Sequence, residues 1–577
     1  LRLFPHKLLL LLALACTLLN AVKPLTIDDT AYHGFAAQVA NRPLDPYGFA
    51  AYWWWQPMVA NEVLAPPLFF YWWSIPLCLF GENVFLAKMC LLPFVALLAY
   101  ALYALAHRFA RGAELPVVAL TLFSPTVLPS VNMMLDVPAL ALGLAALAMF
   151  CRACDRDSFV LAALAGLIAG LGMETKYTAF LAPAAMLLYA AWLGRLRLWP
   201  AAAVVAAQLF LSWEFLMAIL YGESHFMLHA RANAGRGLHW SLLMPLLTNL
   251  GSVGWAGALL ALAGLGVRRW GLAAAAAAGL LAYVAVACLG GELQLTVNLF
   301  GHAEKPVMVP FEHLVFGTLG VVGLLLGGAA LWQLFRVPAA LTRRPVLFIS
   351  RPARVNWFLL SWLLLEIVGY LALTPFPAVR RIMGVVVVTT LLVGRLAALR
   401  SRSAAARRTL YGVAAYGAVL GLLVYGVDLV EARAEKGAVE EAARCIREQD
   451  DGATIWYVGH WGFQYYAERQ DMRAISAYPA PDDPIPIPPR SVLQKGDWVV
   501  IPNYRWSGDR FAGGVHKQPY TPDPNLTRLE FTVTMEDRVP LQTIMNFYSG
   551  FTAVEHHEGP RLEVEVRRVL ADHEAEP

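Results

Sequence analysis

Charge is scarce in this chain: only 15% of its 577 residues are Asp, Glu, Lys or Arg, while 58% are hydrophobic. A soluble globular protein carries about a quarter of its residues charged, so that class is excluded. Cysteine is scarce too, with seven in all, and only Cys445 falls in the polar tail described below, which leaves no disulfide framework there. Cys151 and Cys154 form a C-x-x-C at the end of an apolar run, where small apolar side chains packing near a helix end is preferred to a redox or metal pair. A Walker loop, a dinucleotide-binding glycine fingerprint and a nucleophile elbow are all missing from any supporting context. ATP, dinucleotide and serine-hydrolase chemistry therefore have no residues to carry them. No internal repeat suggests the inverted halves of a secondary transporter.

What the chain does have is apolar length. Mean hydropathy is +0.54, and runs able to cross a hydrocarbon core recur from residue 8 to residue 428, giving about thirteen crossings of roughly 20 residues each. The net charge of +4 is small and fits membrane topology better than a nucleic-acid footprint, so no nucleic-acid partner is expected. Basic residues gather at alternate ends of successive runs: Arg2 and Lys7, Arg108 and Arg111, Arg152 and Arg156, Arg195 and Arg197, Arg268 and Arg269, then 336–354 and 395–408. By the positive-inside rule these ends are cytoplasmic, which puts loops 26–63, 132–136, 174–177, 222–242, 293–310 and 374–381 outside. The tail is outside as well if the spans are odd in number. The run from Leu8 to Val22 lacks a convincing cleavage site and reads as a retained first helix rather than a signal peptide.

Composition shifts at residue 429, dividing a membrane part (1–428) from a polar tail (429–577). In the tail, Val430 to Glu448 has helical spacing, and strand patterns follow at Thr454–Val458, Asp497–Ile501, Leu529–Thr534 and Leu562–Val569, the order of a small α/β domain. The Pro-rich stretch Tyr478–Pro489 is expected to be a surface loop. The first outer loop is dense in aromatic residues, Tyr32, Tyr47 and Tyr52 to Trp55, as fits helices lying flat in the headgroup region.

A carboxylate at a membrane boundary is expensive to desolvate and so draws a functional reading. Asp28 and Asp29 follow the first span directly, and Asp136 stands where the third gives way to the fourth, on the same outer face. Helix N-capping is the plainer alternative for Asp28 or Asp136 alone. Lys176, Arg380 and Arg381 are cations on the face that the positive-inside rule depletes; a phosphate would compensate them, with lipid headgroup anchoring as the alternative. Arg231 is a further phosphate candidate. Glu223, His225 and His229 place a carboxylate and an H-x-x-x-H in one loop, a pattern that can bind a metal or simply face water on an interfacial helix. Gly459 to Tyr466, with His460 and Trp461, could stack on sugar rings or start a packed helix.

At these residues the chain resembles the bacterial relatives of protein O-mannosyltransferases, glycosyltransferase family 39, which include the lipid A aminoarabinose transferases. The family's Asp-Glu-x-x-Tyr is resembled by Asp28-Asp29-x-x-Tyr32, its Pro-Pro-Leu-x-x-Tyr-Trp by Pro66 to Trp72, its Leu-Asp-x-Pro by Leu135 to Pro138, and a Gly- and Lys-bearing run by Gly166, Gly170 and Lys176. Two positions depart: Asp29 replaces a usual Glu, and Ala65 replaces a Lys common in the aminoarabinose transferases, which leaves that particular donor unassigned.

The resemblance implies a GT-C fold with interfacial helices in the first loop, a polyprenyl-phosphate-linked sugar as donor, and transfer at the periplasmic or outer face of a bacterial inner membrane. The acceptor would be a lipid, a glycan or a protein hydroxyl. It also implies that Asp28 is the catalytic carboxylate, with Asp29 supporting it, and Asp136 a second one associated with metal or acceptor. On that reading Lys176, Arg380, Arg381 and Arg231 face the donor phosphate, while Tyr32, His33, Trp54, Tyr71, His460 and Trp461 contact substrate. A divalent cation, magnesium or manganese, would fall to Asp28, Asp136, Glu223 or His225. The rival reading is a transporter or flippase of lipid-linked sugars, which predicts charges near the bilayer midplane; a catalytically silent scaffold for the tail is a second rival.

Overall fold

In the computed structural model the described residues are all but 1–3, 54–56, 233–236, 291–293, 298–306, 342–350, 402, 477–489, 504–519, 537, 544–549 and 577. Among them, eight helices are long and apolar enough to cross a bilayer, or nine if Trp240–Val253 and Trp255–Leu265, bent by 72°, form one broken span. The chain is thus a multi-pass membrane protein. Four shorter apolar helices accompany them: Pro5–Ala21, Leu68–Phe80, Phe159–Met173 and Tyr177–Leu193. Helices of spanning length alone do not reach the about thirteen crossings expected from apolar runs, because several runs are interrupted by turns, as at 174–176 between Phe159–Met173 and Tyr177–Phe180.

Small residues set the closest helix contacts, as expected where lipid tails give no hydrophobic drive between helices. A Cβ on Gly166 would stand 2.2 Å from the Ala202 carbonyl oxygen, and one on Gly320 would stand 2.0 Å from that of Leu247.

The loop after the first apolar helix begins with the helix Asp28–Asn41, continues through a short hairpin of Ala50–Tyr52 with Pro57–Val59, and returns in the helix Leu68–Phe80. Its aromatic side chains pack mostly on one another: Tyr32 is stacked near Trp73, with ring centroids 6.0 Å apart, and Phe35 lies 4.5 Å from Phe70.

The tail contains a five-stranded sheet in the order Arg473–Ala474, Ile455–Tyr457, Trp498–Asn503, Leu562–Val569, Thr527–Met535. The first three strands pair in parallel and the rest antiparallel. Leu562–Val569 turns Leu562, Val564 and Val566 inward and Glu563 and Glu565 outward, the alternation that marked it in the sequence. The Pro-rich stretch lies outside the described residues. The composition shift at 429 falls inside a continuous helix, Ala404–Gln449. Its far end packs Ala438, Val439, Ala442 and Ile446 into the same apolar cluster as Tyr32, Phe35 and Phe70 of the first loop, so tail and loop share one core.

A buried ion pair ties this helix to the first span. Lys23 Nζ sits 2.5 Å from Asp428 Oδ2 with both side chains inaccessible, and it also donates to the Pro129 carbonyl at 3.1 Å. Removing one partner strands a charge. Asp428→Ala should therefore cost about 3–5 kcal/mol and lower the thermal midpoint in detergent, while Lys23→Met combined with Asp428→Leu should recover most of the loss.

Candidate functional site

The helix that carries Asp28 starts under strain. Ile27, a β-branched residue, is held at φ 51° and ψ −135°, a conformation disfavoured for such side chains and costing on the order of 1–3 kcal/mol. Its side chain is clamped in an apolar cluster with Met134, Tyr370, Val379 and Trp461, which fixes the direction in which the next residue leaves. Asp28 is buried, and its Oδ2 accepts from Arg380 Nη1 at 3.0 Å.

Arg380 comes from the short 3₁₀ helix Val379–Ile382, which is pinned by the Thr126 hydroxyl donating to the Val379 carbonyl at 2.6 Å. The same Nη1 lies 3.8 Å from Asp136 Oδ2 at the head of the span Asp136–Arg156. Lys176, in the turn after Phe159–Met173, completes the group with its Nζ 2.5 Å from Asp136 Oδ1. Four segments distant in sequence thus converge in a chain Asp28, Arg380, Asp136, Lys176. Arg381 lines the same pocket, its guanidinium 4.3 Å from the Phe376 ring centroid. Three cations thus meet the two carboxylates, and a third carboxyl, Glu366, lines the same pocket.

Burial raises the Asp28 carboxyl above its ordinary range, with Arg380 pulling the other way. Its Oδ1 has no hydrogen-bond partner among the described residues, which leaves an acceptor in place for an incoming proton donor. Burial also brings the Lys176 ammonium down to about 8, against the attraction of Asp136.

The pocket continues beyond the charges. From Asp136 its wall follows Leu140, Gly143, Leu144 and Leu147 along one helix face, opposite Leu181, Ala182 and Ala185. The stretch from Asp136 to Leu147 is about 16 Å of helix at 1.5 Å per residue. A charged head therefore opens onto an apolar corridor directed into the bilayer.

Asp29, the neighbour of Asp28, points elsewhere. Its Oδ2 lies 3.5 Å from Lys88 Nζ, which also donates to the Lys23 and Pro24 carbonyls at 2.8 and 3.1 Å. Burial raises its carboxyl as well. Lys23, Lys88 and Asp428 were not among the residues singled out from the sequence. The available signal was the same as for Asp28: charges placed inside or directly beside apolar runs.

Other expected site residues lie apart from the cluster. Tyr32 is buried among Trp53, Phe70 and Trp73 and belongs to the loop core. The Tyr71 hydroxyl donates to the Pro43 carbonyl at 2.7 Å and braces the loop. His460 and Trp461 are buried with ring centroids 3.9 Å apart, and Trp461 belongs to the same apolar cluster as Ile27. His33 borders a second cleft discussed below. Trp54 lies outside the described residues.

The metal expectation does not fit. His225 uses both ring nitrogens, Nε2 donating to the Val63 carbonyl at 3.0 Å and Nδ1 bonded to the Tyr177 hydroxyl at 2.6 Å. Burial lowers its pKa to about 3. Glu223 and Arg231 are paired with each other at the surface, and neither lines the charged pocket. A cation shared by Asp28 and Asp136 would stand where the Arg380 guanidinium stands, and among the described residues no three His, Cys, Asp or Glu side chains gather. No step is therefore derived through a metal.

Fold and cluster together define a multi-pass membrane protein with a buried charge site at the mouth of an apolar corridor. Residues 65–218, which carry Asp136, Lys176 and Lys88, match the family model described as dolichyl-phosphate-mannose-protein mannosyltransferase, in agreement with the motif resemblance. No curated protein matches. Among solved structures, the Archaeoglobus fulgidus oligosaccharyltransferase in complex with Zn and sulfate aligns with a TM-score of 0.46 at 14% identity, over 82% of this chain and 62% of that one. The archaeal oligosaccharyltransferase AglB from Archaeoglobus fulgidus, in complex with an inhibitory peptide and a dolichol-phosphate, gives 0.46 and 14% over 82% and 64%. This chain thus spans less than two thirds of those proteins. ArnT from Cupriavidus metallidurans in the apo state gives 0.43 and 14% over 97% of both chains.

The low pKa of Lys176 sets an alkaline limit on anion binding. The ammonium is charged below about 8 and neutral above it, so affinity for geranyl phosphate, measured by titration calorimetry, should fall as pH rises through 8. In Lys176→Arg, whose guanidinium keeps its charge, that fall should disappear.

Proposed function

We propose that this protein is an integral-membrane glycosyltransferase that moves a sugar from a polyprenyl-phosphate-linked donor to an acceptor hydroxyl at the outer, periplasmic face. The observation that carries this reading is the joining of a three-cation head, Lys176 with Arg380 and Arg381, to the largely apolar wall along Asp136–Arg156 in one pocket. A phosphate on an isoprenoid tail has that same division of charge and length. The family match over residues 65–218 supports the same class. Residues 1–428 would form the catalytic membrane part and 429–577 an outer domain resting on the first loop.

In this mechanism the donor phosphate displaces the carboxylates from Lys176 and Arg380, which then hold the charge that develops as the sugar–phosphate bond breaks. Asp28, released from Arg380, takes the proton of the acceptor hydroxyl as that oxygen bonds to the anomeric carbon. The products are the glycosylated acceptor and polyprenyl phosphate. Before the donor arrives Asp136 orients Lys176, while Asp29 with Lys88 and the buried Lys23–Asp428 pair hold the base of the site throughout.

A transfer assay with radiolabelled polyprenyl-phosphate sugars and membrane acceptors tests this. Asp28→Asn should lower kcat by about 10²–10⁴ with donor binding retained, and Arg380→Gln should weaken donor binding. The raised carboxyl of Asp28 should move the acid limb of the wild-type pH profile above the ordinary carboxylate range. Undiminished transfer in both Asp28→Asn and Asp136→Asn would refute the mechanism.

A further inference from the structure

A second cavity, of about 800 Å³, lies between the Asp28–Asn41 helix and the Trp461–Glu468 helix of the tail. It is within the roughly 300–1,000 Å³ range of small-molecule sites and shares no lining residue with the charged pocket. Ala31, on its wall, is one helical turn beyond Asp28, and Gly34 is about 9 Å further along the same axis from Asp28 at 1.5 Å per residue. We infer that this cleft holds the acceptor, and that the acceptor is a neutral, hydroxyl-rich glycan; the inference rests on the glycosyltransferase reading above.

The chemistry of the walls carries the choice. Planar polar groups face the space from both sides: the His33 imidazole on one, the Gln464 amide, Glu468 carboxylate and Arg469 guanidinium on the other. They are ordered before any ligand arrives. Gln464 Nε2 donates to Glu468 Oε1 at 2.9 Å, the Tyr457 hydroxyl donates to the same oxygen at 3.0 Å, and His33 meets the Tyr465 ring edge-on at 5.5 Å. Fixed planar donors and acceptors beside an aromatic ring suit the alternating hydroxyl and C–H surfaces of a sugar.

Charge argues against an anionic acceptor. Arg469 is the one Lys or Arg among the described lining residues, and it is already committed, to Glu82 by an ion pair and to the Tyr465 ring at 4.5 Å. Burial holds His33 toward its neutral form. Glu82 and Glu468 against Arg469 leave one negative charge in excess, which a phosphorylated lipid head or an acidic glycan would meet unfavourably.

The cleft can be filled without disturbing the protein. A Cβ on Gly34 meets no atom within 4 Å, and its backbone is helical, so Gly34→Trp projects its ring into open space. The test is binding of the labelled full-length protein, in detergent, to an array carrying neutral oligosaccharides, sialylated and phosphorylated ones, lipid A and Ser/Thr peptides. Wild type should bind neutral glycans, and Gly34→Trp should lose at least tenfold. Glu468→Arg, at an exposed side chain, should move signal toward the anionic glycans.

Neutral-glycan binding that survives Gly34→Trp would overturn the assignment, as would binding confined to lipid A, acidic glycans or peptides, or a blank array for neutral glycans. Because the readout is binding, it separates the two readings. Neutral-glycan binding lost in Gly34→Trp stands even if the chain transfers no sugar, whereas transfer to peptide or lipid A removes the glycan acceptor and leaves the transferase.

Discussion

Arg380 is 5% exposed and its charge is held between Asp28 and Asp136, which arrive from two other segments of the chain. A guanidinium cannot be deprotonated to escape burial, so these three groups must come together or pay a desolvation cost of several kcal/mol each. Much of the surrounding structure answers to that requirement. The strained Ile27, the Thr126 bond to the Val379 carbonyl and the turn that presents Lys176 each bring one member of the set to its place. Strain of this kind persists only where the neighbours over-determine it, and the Ile27 side chain is buried in an apolar cluster that includes Met134, Tyr370, Val379 and Trp461.

Two further ion pairs, Lys88 with Asp29 and Lys23 with Asp428, lie beside the first group, and none of their residues lines the corridor. Adjacent residues on a helix diverge by about 100°, so Asp28 and Asp29 necessarily serve different partners. One meets Arg380 and the other Lys88. The two scaffold pairs link the end of the first span, the Val84–Met89 segment and the long last helix, so the carboxylate that meets Arg380 stands on a cross-braced base.

The sequence showed where charges were improbable but not whom they met. Asp28, Asp136, Lys176 and Arg380 were recognisable because each sits at an outer boundary of an apolar run, and topology alone put them on one face. Lys23 and Asp428, 405 positions apart, carried the same signal without a motif to connect them. Sign and position could not distinguish Arg231, a surface partner of Glu223, from Arg380, since that difference arises only when helices pack. The strands of the tail were legible from alternation, as in Leu562–Val569. Apolar length alone did not separate the eight or nine spanning-length helices among the described residues from shorter apolar ones such as Leu181–Leu193 and Phe159–Met173, of 13 and 15 residues.

The helix Ala404–Gln449 has a mechanical meaning as well. Its 46 residues make a rod of about 69 Å, more than twice the hydrocarbon thickness of a bilayer, and no break separates the part in the membrane from the part that carries the sheet. A domain mounted on such a mast cannot hinge freely at the water interface. Opening between tail and first loop is then a matter of the loop helices Asp28–Asn41 and Leu68–Phe80 moving against the far end of that rod, with which they share an apolar cluster.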